Sequence, residues 1–503
     1  MHIYLMLMGN KKRLWLILAG VFFLAAVLRF THLNSLPVFV DESIYIRWSQ
    51  VMRAEQTLRF LPLSDGKQPL FMWATMPALK LISDPLVAGR AVSAAAGLFT
   101  TLGVGLAGFF LFGRLREAIT AAGIWAVLPY AVFFDRLALA DSLLAMFIVW
   151  GFALGLFAFK HLRWDFSMLS GFALGFAWLT KSPAMFALAM TPLLWVLFSP
   201  KNNRRQILQG IGLILTIWGI AFAMYNILRL GPEFHMIGIR NKDYIYPISE
   251  VLRHPIDPLI PHLKDSLDFL LYLFTPVGLF FALLGLLENG IKHTRQRLAL
   301  ILWVIIPIFA QSFISKTFTA RYLLYTIPYL VLLAAHGIWH FGDRTKKHIL
   351  SFLGLCLFIL VSLIFDFMLI TSPQSVPLPR IERSGYLEEW TAGFGIKEVS
   401  AYLKNAPGPV LVGSEGFFGT PFSALQMYLN NQRNIRVVGL SSEITEVDPK
   451  LISAQKDNQV FLVVNSTRLR VPMENLNLEL IAQFPKAFRP DGSREWLLFF
   501  KLK

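Results

Sequence analysis

The sequence predicts a mainly α-helical, polytopic membrane protein with about eleven transmembrane helices and a small C-terminal α/β domain outside the bilayer. Three observations predict it. Only 16% of the 503 residues are charged and 55% are hydrophobic, whereas soluble domains carry roughly 25% charged residues. Many runs approach the roughly 20 apolar residues that a helix needs to cross a core of about 30 Å. Short basic clusters separate those runs, and beyond residue 370 the long runs stop.

The first run, Leu14 to Leu28, follows Lys11, Lys12 and Arg13. No small-residue cleavage site follows it, so it reads as a retained helix rather than a signal peptide. Further spans are expected near 86–112, 117–134, 142–160, 166–180, 182–199, 207–229, 267–287, 298–314, 321–341 and 349–370. Clusters at Arg114/Arg116, Lys160/Arg163, Lys201/Arg204/Arg205, Lys292/Arg295/Arg297 and Arg344/Lys346/Lys347 fall on the side of the N-terminal cluster. The opposite loops hold fewer basic residues, which puts the N-terminus in the cytoplasm and the C-terminus outside. The break at Thr180-Lys181-Ser182-Pro183 matters here. If 166–199 were one span, the tail would flip inward.

Two segments expected outside, 29–85 and 230–266, are long and rich in Pro, aromatic and charged residues. Ile44 to Met52 reads as an amphipathic stretch able to lie on the interface. The tail alternates short β-like runs, Val410–Val412, Ile435–Val438, Val460–Val464 and Trp496–Phe500, with helical and turn segments. This divides the chain into a membrane domain over 1–370 and an extracytoplasmic α/β domain over 371–503. No repeat of 20–50 residues and no two-half symmetry is visible.

The formal charge of +16 splits into +2 on 371–503 and +14 on the rest. Much of the excess lies in short clusters between spans, the pattern of topology signals and anionic-lipid contacts, and not of a nucleic-acid binder. The single cysteine, Cys356, excludes an intrachain disulfide and a thiolate metal cluster, and reads as buried filler in an apolar run.

Candidate chemistry gathers in the external loops. Asp41-Glu42 stands in Val38-Phe39-Val40-Asp41-Glu42-Ser43, just after the first helix. Carboxylates flanked by apolar residues beside a membrane are costly unless solvated, paired or functional, and a helix N-cap is the plain alternative. Asp141 opens the fourth span on the same expected face, and it too can serve as a cap; Asp135 and Arg136 can pair with each other. Lys67, Lys181, Arg240, Lys316 and Arg321 share that face. Singly each can snorkel at the interface; together they can receive a phosphate. Carboxylates that take an acceptor's proton, beside cations that hold a departing phosphate, suit transfer from a phosphate-activated donor.

The early Asp41-Glu42, the Asp141 element, Lys67-Gln68-Pro69 and Ala320-Arg321-Tyr322-Leu323-Leu324 together resemble the GT-C superfamily of membrane glycosyltransferases over roughly residues 1–370. The likeness is to dolichyl-phosphate-mannose protein mannosyltransferases and bacterial lipid A aminoarabinose transferases. It implies a polyprenyl-phosphate sugar donor, a lipid, glycan or protein acceptor, and inverting single-displacement transfer of a hexose or pentose on the extracytoplasmic face. By motif position it makes Asp41 the general base with Glu42 beside it, and Asp141 an organiser of donor phosphate or acceptor. Lys67, Arg240, Lys316 and Arg321 would bind the donor phosphate. The residue before Lys67 is Gly66, where the aminoarabinose enzymes carry a metal-binding Glu. A divalent metal is thus possible but not required, with Asp65 and His235 as substitutes. Gly385 to Trp390 and Gly413 to Gly419 resemble the C-terminal parts of bacterial members, and the latter lacks the Gly-Lys-Ser/Thr ending of a phosphate loop.

Three other readings compete. A lipid-diphosphate-linked glycan polymerase or ligase is the alternative enzyme. A transporter explains the spans, but less well the two long external segments, the tail and acidic residues at helix ends. A membrane scaffold leaves the clustered charges without purpose.

Overall fold

The computed structural model describes residues 11–200, 203–287, 293–346, 348–472 and 478–503. Helices cover every run expected to span. Six of them are long and apolar enough to cross a bilayer singly: Pro85–Phe112, Ala140–His161, Arg204–Leu230, Thr294–Ile314, Ala320–Thr345 and His348–Thr371. Among the described residues the number is up to eight if each of two bent pairs is one span. Trp15–Phe30 and Ala184–Phe198 are apolar but shorter.

The bends have local causes. Leu115–Val127 meets Pro129–Asp135 at 55°, where Pro129 lacks the N–H that would continue the ladder. The span expected at 267–287 is not one rod. Leu259–Phe274 and Pro276–Leu286 meet at 107°. Thr275 adopts φ +68° and its hydroxyl accepts from the Gly278 N–H, so it caps a new helix that opens on Pro276. At the other doubtful break, Trp164–Thr180 ends at an extended Lys181 and a separate helix begins at Ala184, after Pro183. Cys356 departs from expectation: it is exposed on its helix rather than buried as filler. Asp135 and Arg136 do not pair. Asp135 takes the buried Arg29 at 2.9 Å, while Arg136 donates to the carbonyls of Leu28, Thr31 and His32 at the end of the first helix.

The chain forms two compact units. Unit 1 comprises residues 1–33, 60–71 and 93–371 and contains most of the long helices. Unit 2 joins residues 34–59 and 72–92 to the tail from 372. Its five-stranded sheet runs in the order β4 (Ile435–Gly439), β3 (Val410–Ser414), β5 (Gln459–Asn465), β7 (Arg494–Leu502), β6 (Leu478–Phe488). The three strands β4, β3 and β5 are parallel, and β7 runs antiparallel to both its neighbours. Val410, Val412, Phe461 and Val463 are buried, the continuous apolar run expected of parallel strands. A separate short pair sets β1 (Val38–Phe39) against β2 (Ala392–Gly393).

Helix Val40–Ala54 belongs to this unit and does not offer an apolar face to a membrane. Ile44, Ile46, Trp48 and Met52 are buried, and Trp48 packs its ring 5.7 Å from Phe418. Gln50 donates to the carbonyl of Met427.

Candidate functional site

In unit 1 the turn Leu61–Asp65 closes on Gly66, whose φ of +70° favours glycine. The turn carries Asp65 and Lys67 toward helix Met236–Tyr244. Asp65 Oδ1 accepts from Arg240 Nη2 at 2.6 Å, and Asp65 Oδ2 lies 3.6 Å from Lys67 Nζ. Lys67 donates to the Tyr244 hydroxyl at 2.9 Å. Arg240 Nη1 binds Asp243 at 2.7 Å. The next strand-like stretch bridges Ile245 to Ser315 and brings Lys316 alongside, where its ammonium donates to the Lys242 carbonyl. Three of the expected phosphate-binding cations, Lys67, Arg240 and Lys316, are therefore assembled from segments far apart in sequence.

A second group adjoins it. Gln68 donates to the Ser182 hydroxyl at 2.7 Å, tying the Lys67 turn to the break between helices 164–180 and 184–198. Beside that tie, Lys181 reaches Asp141 at 2.6 Å. The Asp141 carboxylate is thus not the cap of its helix, which starts from Leu139 without a side-chain cap. The Tyr322 ring lies under both cations, 4.4 Å from Lys181 Nζ and 5.4 Å from the Arg321 guanidinium. Lys67, Arg240, Lys181, Lys316 and Arg321 outnumber the carboxylates of Asp65, Asp141 and Asp243 among them, so the cluster retains positive charge for an anion.

Asp41 and Glu42 lie in unit 2, on the first turn of helix Val40–Ala54, where the helix dipole favours carboxylates. Their environments differ. Glu42 is fully buried: Arg90 Nε and Nη2 bind it in bidentate fashion, both at 2.7 Å, and the Phe39 N–H donates to it. Arg90 also donates to the Leu36 and Pro37 carbonyls. Asp41 stays partly exposed.

The residues present do not fit a metal beside Lys67. Both Asp65 oxygens face cations, and His235 is exposed with Glu233 3.7 Å away. A Cβ at position 66 would lie 2.6 Å from the Cβ of Arg240, so an acidic residue has no room there. Among the described residues no three His, Cys, Asp or Glu side chains are placed to hold an ion. The Gly413–Gly419 segment is not an anion loop either: it contains the buried Glu415, whose carboxylate accepts from Asn465.

Sequence reasoning missed Arg90 and Tyr244, and it held Tyr322 only as a member of the motif at 320–324, with no role of its own. Arg90 had a signal, since a charge inside an apolar helix demands a buried partner. Tyr244 had none; only the fold places it beside Lys67.

The comparisons agree with this architecture. The family model for dolichyl-phosphate-mannose-protein mannosyltransferases matches residues 66–227, which contain Lys67, Asp141 and Lys181. No curated protein sequence matches the chain. ArnT from Cupriavidus metallidurans in the apo state is similar in fold, with a TM-score of 0.59 at 16% identity over 96% of this chain and 97% of that one. The same ArnT bound to undecaprenyl phosphate gives 0.59 and 16% over 98% of both chains. The Archaeoglobus fulgidus oligosaccharyltransferase in complex with Zn and sulfate gives 0.50 at 12% identity, covering 95% of this chain and 72% of that one. The chain is a multi-pass membrane protein with the fold of the GT-C glycosyltransferases, as the sequence resemblance implied.

Proposed function

We propose that the chain is a glycosyltransferase that moves a hexose or pentose from a polyprenyl-phosphate donor to a lipid, glycan or protein acceptor. The reaction is an inverting single displacement on the extracytoplasmic face. The observation that carries this reading is the cluster of Lys67, Arg240 and Lys316 around Tyr244, tied through Gln68 and Ser182 to Lys181 and Asp141. Fixed cations are suited to the charge that grows on the phosphate as the sugar leaves. Lys67, Arg240 and Lys316, with Arg321, bind the donor phosphate in this reading, and Asp141 orients Lys181 toward it. Asp41 takes the acceptor's proton. Glu42 acts through position alone, because Arg90 and the Phe39 N–H already engage it. Residues 1–370 form the catalytic membrane domain and 371–503 an extracytoplasmic domain, with the N-terminus in the cytoplasm.

The test is incubation of the purified protein in detergent with labelled hexosyl and pentosyl polyprenyl phosphates, using membranes of a deletion strain as acceptor. Label should pass to an acceptor as free polyprenyl phosphate accumulates. Turnover of lipid-diphosphate glycans alone would favour a polymerase or ligase, and consumption of neither donor would remove the transferase reading.

A further inference from the structure

Arg240 is held in the cluster by two carboxylates. Its two terminal nitrogens are held by carboxylates, Nη2 by Asp65 at 2.6 Å and Nη1 by Asp243 at 2.7 Å. Its Nε is buried and has no hydrogen-bond partner among the described residues. The stem packs where a side chain at position 66 would otherwise be, with the Arg240 Cβ and Cγ within 2.6 and 3.2 Å of an added Cβ. The Arg240 side chain as a whole still keeps 38% of its surface open, and Lys67 stands across Asp65 from it. The place is therefore filled by a fixed positive charge, and the one carboxylate nearest Lys67 is spent on holding that charge.

We infer that Arg240, braced by Asp65 and Asp243, is a resident cation for the donor phosphate that does the electrostatic work of a divalent metal, so that donor binding and transfer need no metal ion. The inference rests on the transferase reading. A divalent ion supplies concentrated charge to a phosphate and must be retained by several anionic or imidazole ligands. A guanidinium supplies planar, permanently charged donors that match phosphate oxygens and needs only orientation. Asp65 and Asp243 provide that orientation. Gly66 supplies the room, since any Cβ there would meet Arg240 and any L side chain would be strained at its φ.

The experiment measures binding of undecaprenyl phosphate to the detergent-solubilised full chain by tryptophan fluorescence. It is run before and after stripping with EDTA and 1,10-phenanthroline, with metal content determined by mass spectrometry. The inference predicts metal well below one ion per chain, no rise in melting temperature on adding Mg²⁺, Mn²⁺ or Zn²⁺, and unchanged lipid-phosphate binding after stripping. Arg240→Gln should weaken binding by about 10- to 100-fold, the worth of one charge-assisted hydrogen bond. Arg240→Lys, which keeps the charge, should retain part of the affinity and controls for folding. One tightly held ion per chain, or binding lost on stripping and restored by metal, would overturn the inference and leave the transferase reading standing. Equal binding by folded Arg240→Gln would overturn it too. A wild type that binds no lipid phosphate would take the donor reading down first and the inference with it.

Discussion

Asp41 and Glu42 are neighbours in sequence with opposite physical situations. Glu42 shares a buried bidentate ion pair with Arg90, and removing one partner of such a pair leaves a desolvated charge at a cost of about 3–5 kcal/mol. Glu42→Gln should therefore lower the melting temperature of the protein markedly. Asp41 remains partly exposed, so Asp41→Asn should leave the melting temperature near wild type while removing the proton acceptor. Transfer should then fall by about 10²- to 10⁴-fold, the usual worth of general-base catalysis. A folded Asp41→Asn enzyme with wild-type turnover would leave the base unassigned. The pair also shows where residue-level reading ends. An acidic dipeptide flanked by apolar residues was visible in sequence, but which carboxylate is fully buried and which is partly exposed depends on Arg90, 48 positions away from Glu42.

At the scale of elements, the legible parts are those whose physics is local. The runs at Val410, Val460 and Trp496 became strands because continuous apolar β-formers have few alternatives to a buried sheet, while Ile435–Gly439, with Arg436 exposed, forms an edge. Strand β6 escaped notice because Glu479, Pro485 and Lys486 break its pattern; it lies at the sheet edge, where a proline is tolerated. The element over 267–287 was expected straight and is bent, because hydropathy does not register a turn of 107°. The end of β3 yields a prediction of its own. Burial pushes the Glu415 carboxyl up to about 7, while Lys486, buried nearby, is pushed down to about 8. Between the ordinary carboxylate range and pH 7 the folded protein keeps a proton on Glu415 that the unfolded chain has lost, so stability falls as pH rises through that window. The loss is on the order of 3 kcal/mol, at about 1.4 kcal/mol per pKa unit. Lys486 works in the opposite sense above about pH 8, where the unfolded chain holds the extra proton. Melting curves from pH 5 to 7.5 should show wild type losing stability that Glu415→Gln, which cannot ionise, retains. Parallel slopes for the two proteins would contradict the assignment.

For the whole molecule, composition and run length were enough to give a polytopic helical protein, and the order of charged motifs was enough to suggest the fold. The sequence grouped Lys67, Lys181, Arg240, Lys316 and Arg321 on one expected face, but the ties that Asp65, Tyr244, Ser182 and Tyr322 make among them were not legible, because only the tertiary structure makes those contacts. Orientation rests on the basic loops. In a Cys356→Ala background, a cysteine at the exposed Ser442 should react with an impermeant maleimide on intact cells; reaction only after lysis would place the tail in the cytoplasm. The central claim is that the cluster around Tyr244 holds the donor phosphate, and Lys67 tests it most directly. Its ammonium is part-exposed and its loss breaks a hydrogen bond to Tyr244 rather than a packed core. Transfer from a purified polyprenyl-phosphate sugar should drop by about 10²- to 10³-fold in Lys67→Gln, as for loss of one charge-stabilising donor, with the melting temperature preserved. A Lys67→Gln protein that folds normally and transfers at the wild-type rate would contradict the account.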